Sequence, residues 1–156
     1  MGQREICDIN LHTSYMHRAG FKALYVFLIL GGLLFLRTFC LDSVGRSCSL
    51  LLQIHAVVTF VLLHWTKGMP QSTVLMVEEK IEVQTVWEQI DDGFVGTPTR
   101  LFLASVPILV FFATLVFNIP NDDATTLAVN SLFTALVVVP KFEFLFGVRL
   151  LGINKE

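Results

Sequence analysis

Four long apolar stretches separate the charged residues of this chain. Asp, Glu, Lys and Arg are absent from residues 23–36, 47–65, 101–121 and 124–140. A helix needs about 20 apolar residues to cross the hydrocarbon core of a bilayer, and the last three stretches meet that need. Lys22 and Arg37 border the shorter first stretch, and such side chains lie along a helix while their charges reach the headgroups.

The apolar pattern therefore predicts four transmembrane helices, at about residues 21–37, 47–65, 100–118 and 124–140. A re-entrant or interfacial segment is the alternative for the first of them. Asp42 and Gly45 supply turn chemistry between the first two helices. Pro120 is expected to end the third helix, and Asp122 or Asp123 to cap the fourth. We therefore expect an all-α, polytopic membrane protein built from two helical hairpins.

Three polar segments complete this single domain, residues 1–156. They are an arm, a connector and a tail, at residues 1–20, 66–99 and 141–156. The connector is too long for a simple link, and apolar side chains recur in it with the i, i+3, i+4 and i+7 spacing of one helix face: Val83, Val86, Trp87 and Ile90. We expect a short amphipathic helix that ends at Gly93, after which Thr97 and Pro98 begin the third transmembrane helix.

Acidic side chains flank this connector helix. Glu88, Asp91 and Asp92 lie beside Trp87, a residue that favours the boundary between membrane and water. Helices that attach to anionic lipid normally carry Lys and Arg on the polar face, so a protein partner accounts better for these charges. The alternative is a solvated helix that packs Trp87 against its own bundle and binds nothing.

The basic residues predict the orientation. Of the 11 Lys and Arg residues, nine lie in or beside the arm, the connector and the tail, and only Arg37 and Arg46 lie on the other side. Lys and Arg accumulate in cytosolic loops, so all three segments, and with them both termini, are predicted to be cytosolic.

Composition agrees with a membrane protein. Hydrophobic residues make up 54% of the chain and charged residues only 15%, whereas soluble domains carry about 25% charged residues. The net charge is −2 and no basic face is visible, so no nucleic-acid partner is expected. Cys40 and Cys48 flank the loop assigned to the non-cytosolic side, where a disulfide or two inert thiols both fit.

No catalytic arrangement is evident in the sequence. His55 and His64 are nine positions apart and so lie on opposite faces of one helix, which excludes a metal site built from that helix alone. The pair Asp91 and Asp92 lacks the further aspartates that would hold a divalent ion. No phosphate-binding loop or nucleophile elbow is present. We therefore expect no catalytic residue, no metal and no cofactor, which leaves an adaptor or a regulator.

Several segments together carry a family resemblance. The motif residues are Ile54, His55, Thr59, Phe60, His64, Lys67, Gly68 and Pro70, then WEQIDDG at 87–93, then Thr97, Arg100, Phe102, Leu103 and Pro107, and finally Pro140 and Lys141 with GVRLLGINK at 147–155. In order and spacing they resemble the ORMDL (Orm) family of endoplasmic reticulum membrane proteins.

The resemblance implies a regulatory subunit. Members of that family span the membrane four times, bind the catalytic subunits of serine palmitoyltransferase and restrain sphingolipid synthesis. In that family the catalytic subunits bind the pyridoxal phosphate cofactor. The arm of the family member reaches the acyl-CoA tunnel of the catalytic subunits when ceramide is bound. Membrane lipids, including ceramide, are therefore expected ligands. Implied contacts with the protein partner are Trp87, Glu88, Gln89, Asp91, Arg100, Arg149 and Asn154.

The arm departs from the family pattern. The family has Asn-x-Asn-Thr there, and its second Asn contacts ceramide, whereas this chain has Asn10, Leu11, His12 and Thr13. The implied ceramide-sensing residues are thus Asn10, His12 and Thr13. An imidazole still forms hydrogen bonds and adds pH dependence. Two alternatives stay open: a structural or trafficking adaptor unrelated to sphingolipids, and a small lipid-modifying enzyme.

Overall fold

A computed structural model describes residues 11–40, 43–67, 84–94, 96–118 and 123–148. A short helix and a 3-10 turn come first, and five further helices follow. They are α1 (Leu11–Ser14) with the turn Tyr15–His17, then α2 (Ala19–Phe35), α3 (Val44–Phe60), α4 (Val86–Gln89), α5 (Pro98–Asn118) and α6 (Ala124–Val138). Within the described residues the only extended pairing is an isolated bridge between Lys67 and Thr85.

Four of these helices are long and apolar enough to cross a bilayer. With the π-helical and 3-10 turns that extend them, they cover Ala19–Cys40, Val44–Trp65, Pro98–Asn118 and Ala124–Lys141. The prediction of an all-α membrane protein is confirmed. The first of these four segments, Ala19–Cys40, reaches 22 residues because it continues past Arg37. Its length favours a full transmembrane span over a re-entrant segment.

Helix α3 is the centre of the bundle. It packs against both α5 and α6, and more extensively than against α2. The Ser49 hydroxyl oxygen accepts hydrogen bonds from Asn118 Nδ2 at 3.0 Å and from Asn130 Nδ2 at 2.9 Å. Polar side chains that bond across helices hold a bundle together in lipid, where the hydrophobic effect does not. The polar residues of α3 therefore join it to the second hairpin.

Helix α2 is more loosely attached. None of its side chains between Ala19 and Phe35 is buried. Its main polar tie to α3 is the Tyr25 hydroxyl, which lies 2.6 Å from His55 Nε2, and the Tyr25 ring also contacts the Phe102 ring at 5.7 Å between centroids. An apolar helix without buried residues presents most of its surface to lipid or to another protein.

The observed starts of α5 and α6 follow the expected chemistry, whereas Gly45, expected in the turn before α3, lies in the first turn of that helix, where it packs closely against the end of α5. The Asp123 carboxylate accepts from the Thr125 N–H at 3.1 Å and caps α6, and the Thr97 hydroxyl accepts from the Arg100 N–H at 3.4 Å at the start of α5. Gly93 has a φ of +82°, which suits glycine. Asp42, Pro120 and Asp122 lie outside the described residues. Cys40 and Cys48 are free thiols, so the disulfide is not formed.

The arm, the connector and the tail meet at one end of the bundle, which we name the connector end. The Val86 N–H donates to the Thr66 carbonyl at 3.2 Å, so the connector returns to the end of α3. Helix α4 is shorter than expected, and all four of its side chains are buried. The expected amphipathic stripe is therefore not seen, because α3, α5 and the tail surround α4, and Val83 lies outside the described residues.

Candidate functional site

A capping box starts the connector helix. The Thr85 hydroxyl accepts from the Glu88 N–H at 3.4 Å, and Glu88 Oε2 accepts from the Thr85 N–H at 2.7 Å. This reciprocal pair satisfies two of the backbone donors that a helix start leaves unbonded. A single turn of helix thereby becomes stable enough to place Trp87 and Glu88 against the bundle.

Glu88 also holds the tail. Its second oxygen, Oε1, accepts from the Gly147 N–H at 2.6 Å. Gly147 has a φ of +74°, a conformation that glycine adopts without a steric penalty. Glu88 is only 7% exposed, and a carboxylate is stable there because each oxygen receives a charge-assisted hydrogen bond. One side chain therefore joins the connector to the tail.

Arg100 closes the connector turn from the α5 side. Its Nε donates to the Ile90 carbonyl at 3.0 Å, and its Nη2 donates to the Trp87 carbonyl at 2.6 Å. The guanidinium also lies 4.9 Å from the centre of the Trp87 ring and 5.1 Å from that of Phe146. Such desolvated cation–π contacts contribute about 2 kcal/mol. Arg100 thus fixes both the backbone of the connector and the ring it carries.

Trp87 is the centre of this cluster. Its Nε1 donates to the Lys141 carbonyl at 3.3 Å, and the Lys141 ammonium lies 5.3 Å from the centre of its ring. The His64 ring approaches from the end of α3, with 5.7 Å between centroids. The Trp87 side chain is only 2% exposed, so it packs on its own bundle. The sequence analysis gave this packing as the alternative to contact with a partner protein.

Lys141 reaches across to α5. Its Nζ donates to the Leu103 carbonyl at 2.6 Å. Pro107 lies inside α5, and because proline has no N–H it cannot bond the carbonyl four residues earlier, which is that of Leu103. The end of α6 therefore supplies the donor that α5 lacks.

The arm is anchored to the connector. His17 Nε2 lies 3.0 Å from Asp91 Oδ1, and His17 Nδ1 lies 2.9 Å from the Thr99 hydroxyl. Asp91 also accepts from the Thr97 hydroxyl, and Thr13 is fully buried. These contacts hold the end of the arm next to the start of α5.

The structure brings most of the expected site residues together at the connector end. Thr13, Trp87, Glu88, Gln89, Asp91 and Arg100 are all buried there, and Gln89 Nε2 donates to the Gln84 carbonyl at 3.0 Å. Contacts inside the chain engage the carboxylates of Glu88 and Asp91, so these two acidic residues of the described connector serve internal bonding. The His12 side chain lies outside the described residues, as do Asn10, Arg149 and Asn154.

Sequence reasoning missed four members of the cluster. His17, Thr99, Lys141 and Gly147 had no assigned role. One signal was available: a proline in a transmembrane helix leaves a carbonyl without a donor, which calls for a polar side chain such as Lys141 nearby. Among the described residues, no group of three His, Cys, Asp or Glu side chains could hold a metal ion.

An apolar cavity adjoins the cluster. It has a volume of about 430 Å³ and lies between the ends of α3 and α6, and its lining includes Trp87 and Glu88 of the connector and Phe146 and Val148 of the tail. Ligand sites in proteins have volumes of about 300–1,000 Å³. The cavity is therefore large enough for part of an organic molecule.

Known proteins are similar to this chain over almost its whole length. The profile of the ORMDL family matches residues 10–149. Similar proteins include ORM1-like protein 3 of Homo sapiens, 33% identical over 150 residues, ORM1-like protein 2 of Homo sapiens, 31% identical over 150 residues, and ORM1-like protein 2 of Gallus gallus, 32% identical over 148 residues. Each alignment covers 95% of this chain and 94% of the relative. The chain, with its four apolar helices and its capped connector, is a member of the ORMDL family.

Proposed function

We propose that this chain is a non-catalytic regulatory subunit that binds the catalytic subunits of serine palmitoyltransferase in the endoplasmic reticulum membrane. There it lowers the rate of sphingoid base synthesis when ceramide is abundant. The observation that carries the proposal is the family match over residues 10–149, which includes the second half of the arm, the connector and the four long helices. Catalysis then belongs to the partner, and this chain needs no cofactor.

The anchored arm fits such a role. His17 holds the arm to Asp91 of the connector and to Thr99 at the start of α5, and Thr13 is buried. Asn10 and His12 precede that anchor in the sequence. A ligand bound at Asn10 and His12 would change the arm close to its attachment. The connector turn, fixed by Arg100, gives the arm a rigid base.

The buried connector residues would act on the partner indirectly. Trp87, Glu88 and Arg100 are engaged within the chain, so they set the shape of the connector end. Phe94 follows the turn and is 64% exposed, which makes it a direct contact for the partner. The nine basic residues on this side orient both termini and the connector toward the cytosol.

Reconstitution tests the proposal. The full chain is expressed with the catalytic subunits, purified in mild detergent, and assayed for condensation of serine with palmitoyl-CoA at increasing ceramide concentrations. We expect co-purification and ceramide-dependent inhibition. His12→Ala is expected to weaken inhibition several-fold, because the hydrogen bond to ceramide is lost, whereas His12→Asn, which restores the family residue, is expected to retain it.

Other outcomes identify the alternatives. A ceramide response of His12→Ala that equals the response of the native chain would remove His12 from the mechanism. Failure of the correctly inserted chain to co-purify, together with unchanged sphingolipids and mislocalised membrane cargo after gene deletion, would establish a trafficking adaptor. Turnover of a lipid by the purified chain alone would establish an enzyme.

A further inference from the structure

Two phenylalanine rings lie together on the outer surface at the start of the tail. Phe142 and Phe144 are 51% and 73% exposed, and their rings are stacked with 5.6 Å between centroids. They lie beside and within the 3-10 turn Glu143–Leu145. Large apolar side chains that adjoin on a surface are typical of a site that contacts a membrane or another protein.

The residues that follow this pair pack on the bundle. The Phe146 ring lies 5.1 Å from the Arg100 guanidinium, and the Gly147 N–H donates to the Glu88 carboxylate at 2.6 Å. The turn therefore has an inner side that bonds to the connector and an outer side that carries the two exposed rings. Contacts on the inner side hold the rings at the surface.

The length of the preceding helical segment gives the position of the rings relative to the bilayer. Ala124–Lys141 has 18 residues and is the shortest of the four candidate membrane spans. Helical and 3-10 rises give it a length of about 28 Å, just below the hydrocarbon thickness of about 30 Å. Asp123, which caps its start, is exposed and marks the opposite boundary. Phe142 and Phe144 therefore follow directly where the hydrocarbon core ends.

No basic side chain of this segment marks the same boundary. A Lys or Arg at the end of a transmembrane helix normally extends its charge to the headgroups. Lys141 is only 8% exposed and its Nζ donates to the Leu103 carbonyl, and residues 124–140 contain no Lys or Arg. Segments that lie in the membrane interface bury Phe, Trp or Leu and keep charged residues toward water. The exposed Glu143, between the two rings in sequence, fits that pattern.

We propose that Phe142 and Phe144 insert into the headgroup layer of the bilayer that α6 crosses, and that they anchor the tail to the membrane surface. The partner is the phospholipid interface itself, which is recognised by its boundary between apolar chains and polar headgroups and not by one particular headgroup. Because Gly147 bonds to Glu88, the anchor also steadies the connector. It does not depend on binding to the synthase.

Tryptophan fluorescence locates the rings in the membrane. The full-length Trp65→Phe protein, whose remaining Trp87 is 2% exposed, is reconstituted into phosphatidylcholine vesicles with and without the further change Phe144→Trp. Bromine on lipid chains quenches tryptophan on contact. Phosphatidylcholine brominated close to its headgroup is expected to quench the added emission several-fold more than phosphatidylcholine brominated at its chain ends. Aqueous iodide is expected to quench it weakly.

Phe94→Trp in the same background is the matched control. Phe94 is also well exposed, at 64%, and lies at the same end of the bundle. The helix that follows it, Pro98–Asn118, has 21 residues and spans about 32 Å alone, so Phe94 lies beyond the hydrocarbon core. We expect iodide to quench the Phe94→Trp protein several-fold more than the Phe144→Trp protein.

Hydrogen exchange tests the effect on the connector. In the double variant Phe142→Ser, Phe144→Ser, the Gly147 N–H is expected to exchange several-fold faster, because a tail without its anchor opens more often. The double variant Phe142→Leu, Phe144→Leu keeps apolar side chains and is expected to exchange like the native chain.

Several results would overturn the proposal. Equal iodide quenching of the Phe144→Trp and Phe94→Trp proteins would leave the rings in water, as a surface for a protein partner. Strongest quenching by bromine at the chain ends would put them inside the hydrocarbon core. Emission that ignores all three quenchers and varies with the protein-to-lipid ratio would show that a second copy covers them. Unchanged exchange at Gly147 in the serine variant would remove the link to the connector. Neither experiment includes the synthase, so the two proposals fail separately.

Discussion

The buried charged side chains of the connector end bond mainly to backbone groups. Glu88 accepts from two N–H groups, Arg100 donates to the carbonyls of Ile90 and Trp87, and Lys141 donates to that of Leu103. Short turns leave backbone groups unbonded, and charged partners form roughly twice as strong a bond as neutral ones. The charges therefore stabilise a part of the chain that has little regular structure.

Glu88→Gln tests this view with almost no change in shape. An amide has one oxygen, so its NH₂ group must face the N–H of either Thr85 or Gly147. We expect the free energy of unfolding to fall by about 1–3 kcal/mol, measured by SDS titration in mixed micelles. Glu143→Gln, at an exposed glutamate of the tail that also faces the charge of Arg100, is the control for loss of charge alone and is expected to have a smaller effect. Equal effects would show that Glu88 acts only through its charge.

The connector residues singled out from the sequence are buried in the structure, but the sequence did not predict the bonds that they form. Thr85 and Glu88 have the spacing of a capping box, which predicts a helix that starts after Thr85, as the structure has it, rather than one that includes Val83. The bond from Gly147 to Glu88 joins residues 59 positions apart, and no periodicity encodes such a distance. For this reason acidity was interpreted as a sign of an external partner.

At the scale of helices, a side chain just after the end of α6 supplies a hydrogen-bond donor that α5 lacks. Pro107 removes a donor from α5, and Lys141 restores it to the Leu103 carbonyl. In a membrane no water can take that place. The two helices are thus joined through a carbonyl that the proline leaves without its helical donor.

A double-mutant cycle measures this dependence. Lys141→Met is expected to lower the free energy of unfolding by about 1–3 kcal/mol, because the Leu103 carbonyl is left unbonded. In a Pro107→Ala background, the introduced alanine would supply the missing N–H, so the same Lys141→Met change is expected to be milder by about 1 kcal/mol. SDS titration of the four proteins provides the data. Strictly additive effects would contradict the link between the two residues.

The helices themselves were largely predictable from the sequence. Their lengths follow from bilayer thickness, and the ends at Thr97 and Asp123 follow from local capping chemistry. Their arrangement was not predictable, because two hairpins suggest that α2 packs chiefly on α3. The central position of α3 depends on Ser49, Asn118 and Asn130, and polar pairing between distant helices leaves no local pattern.

At the scale of the whole molecule, the arm, the connector and the tail occupy one end. His17 joins the arm to Asp91, and Glu88 joins the connector to Gly147. Two membrane crossings separate the arm from the connector, and two more separate the connector from the tail, so four crossings also place all three segments on one side of the membrane. The excess of basic residues at this end predicts that it is cytosolic.

The native cysteines test that assignment. Cys7→Ala leaves Cys40, which is exposed, and Cys48, which is buried, whereas Cys40→Ala leaves Cys7 on the arm. In sealed microsomes whose cytosolic face points outward, a membrane-impermeant maleimide is expected to label the Cys40→Ala protein at once. The Cys7→Ala protein is expected to react only after the membrane is permeabilised. The reverse pattern would invert the orientation.

The bond between Lys141 and Leu103 also constrains how the protein is made. The two residues are 38 positions apart, so α5 is synthesised, and can enter the membrane, well before its donor exists. During that interval the Leu103 carbonyl needs shelter from hydrocarbon, which an insertase or chaperone within the membrane can offer. A chain truncated before Lys141 would keep this exposed carbonyl permanently, a mark by which membrane quality control could distinguish unfinished copies from finished ones.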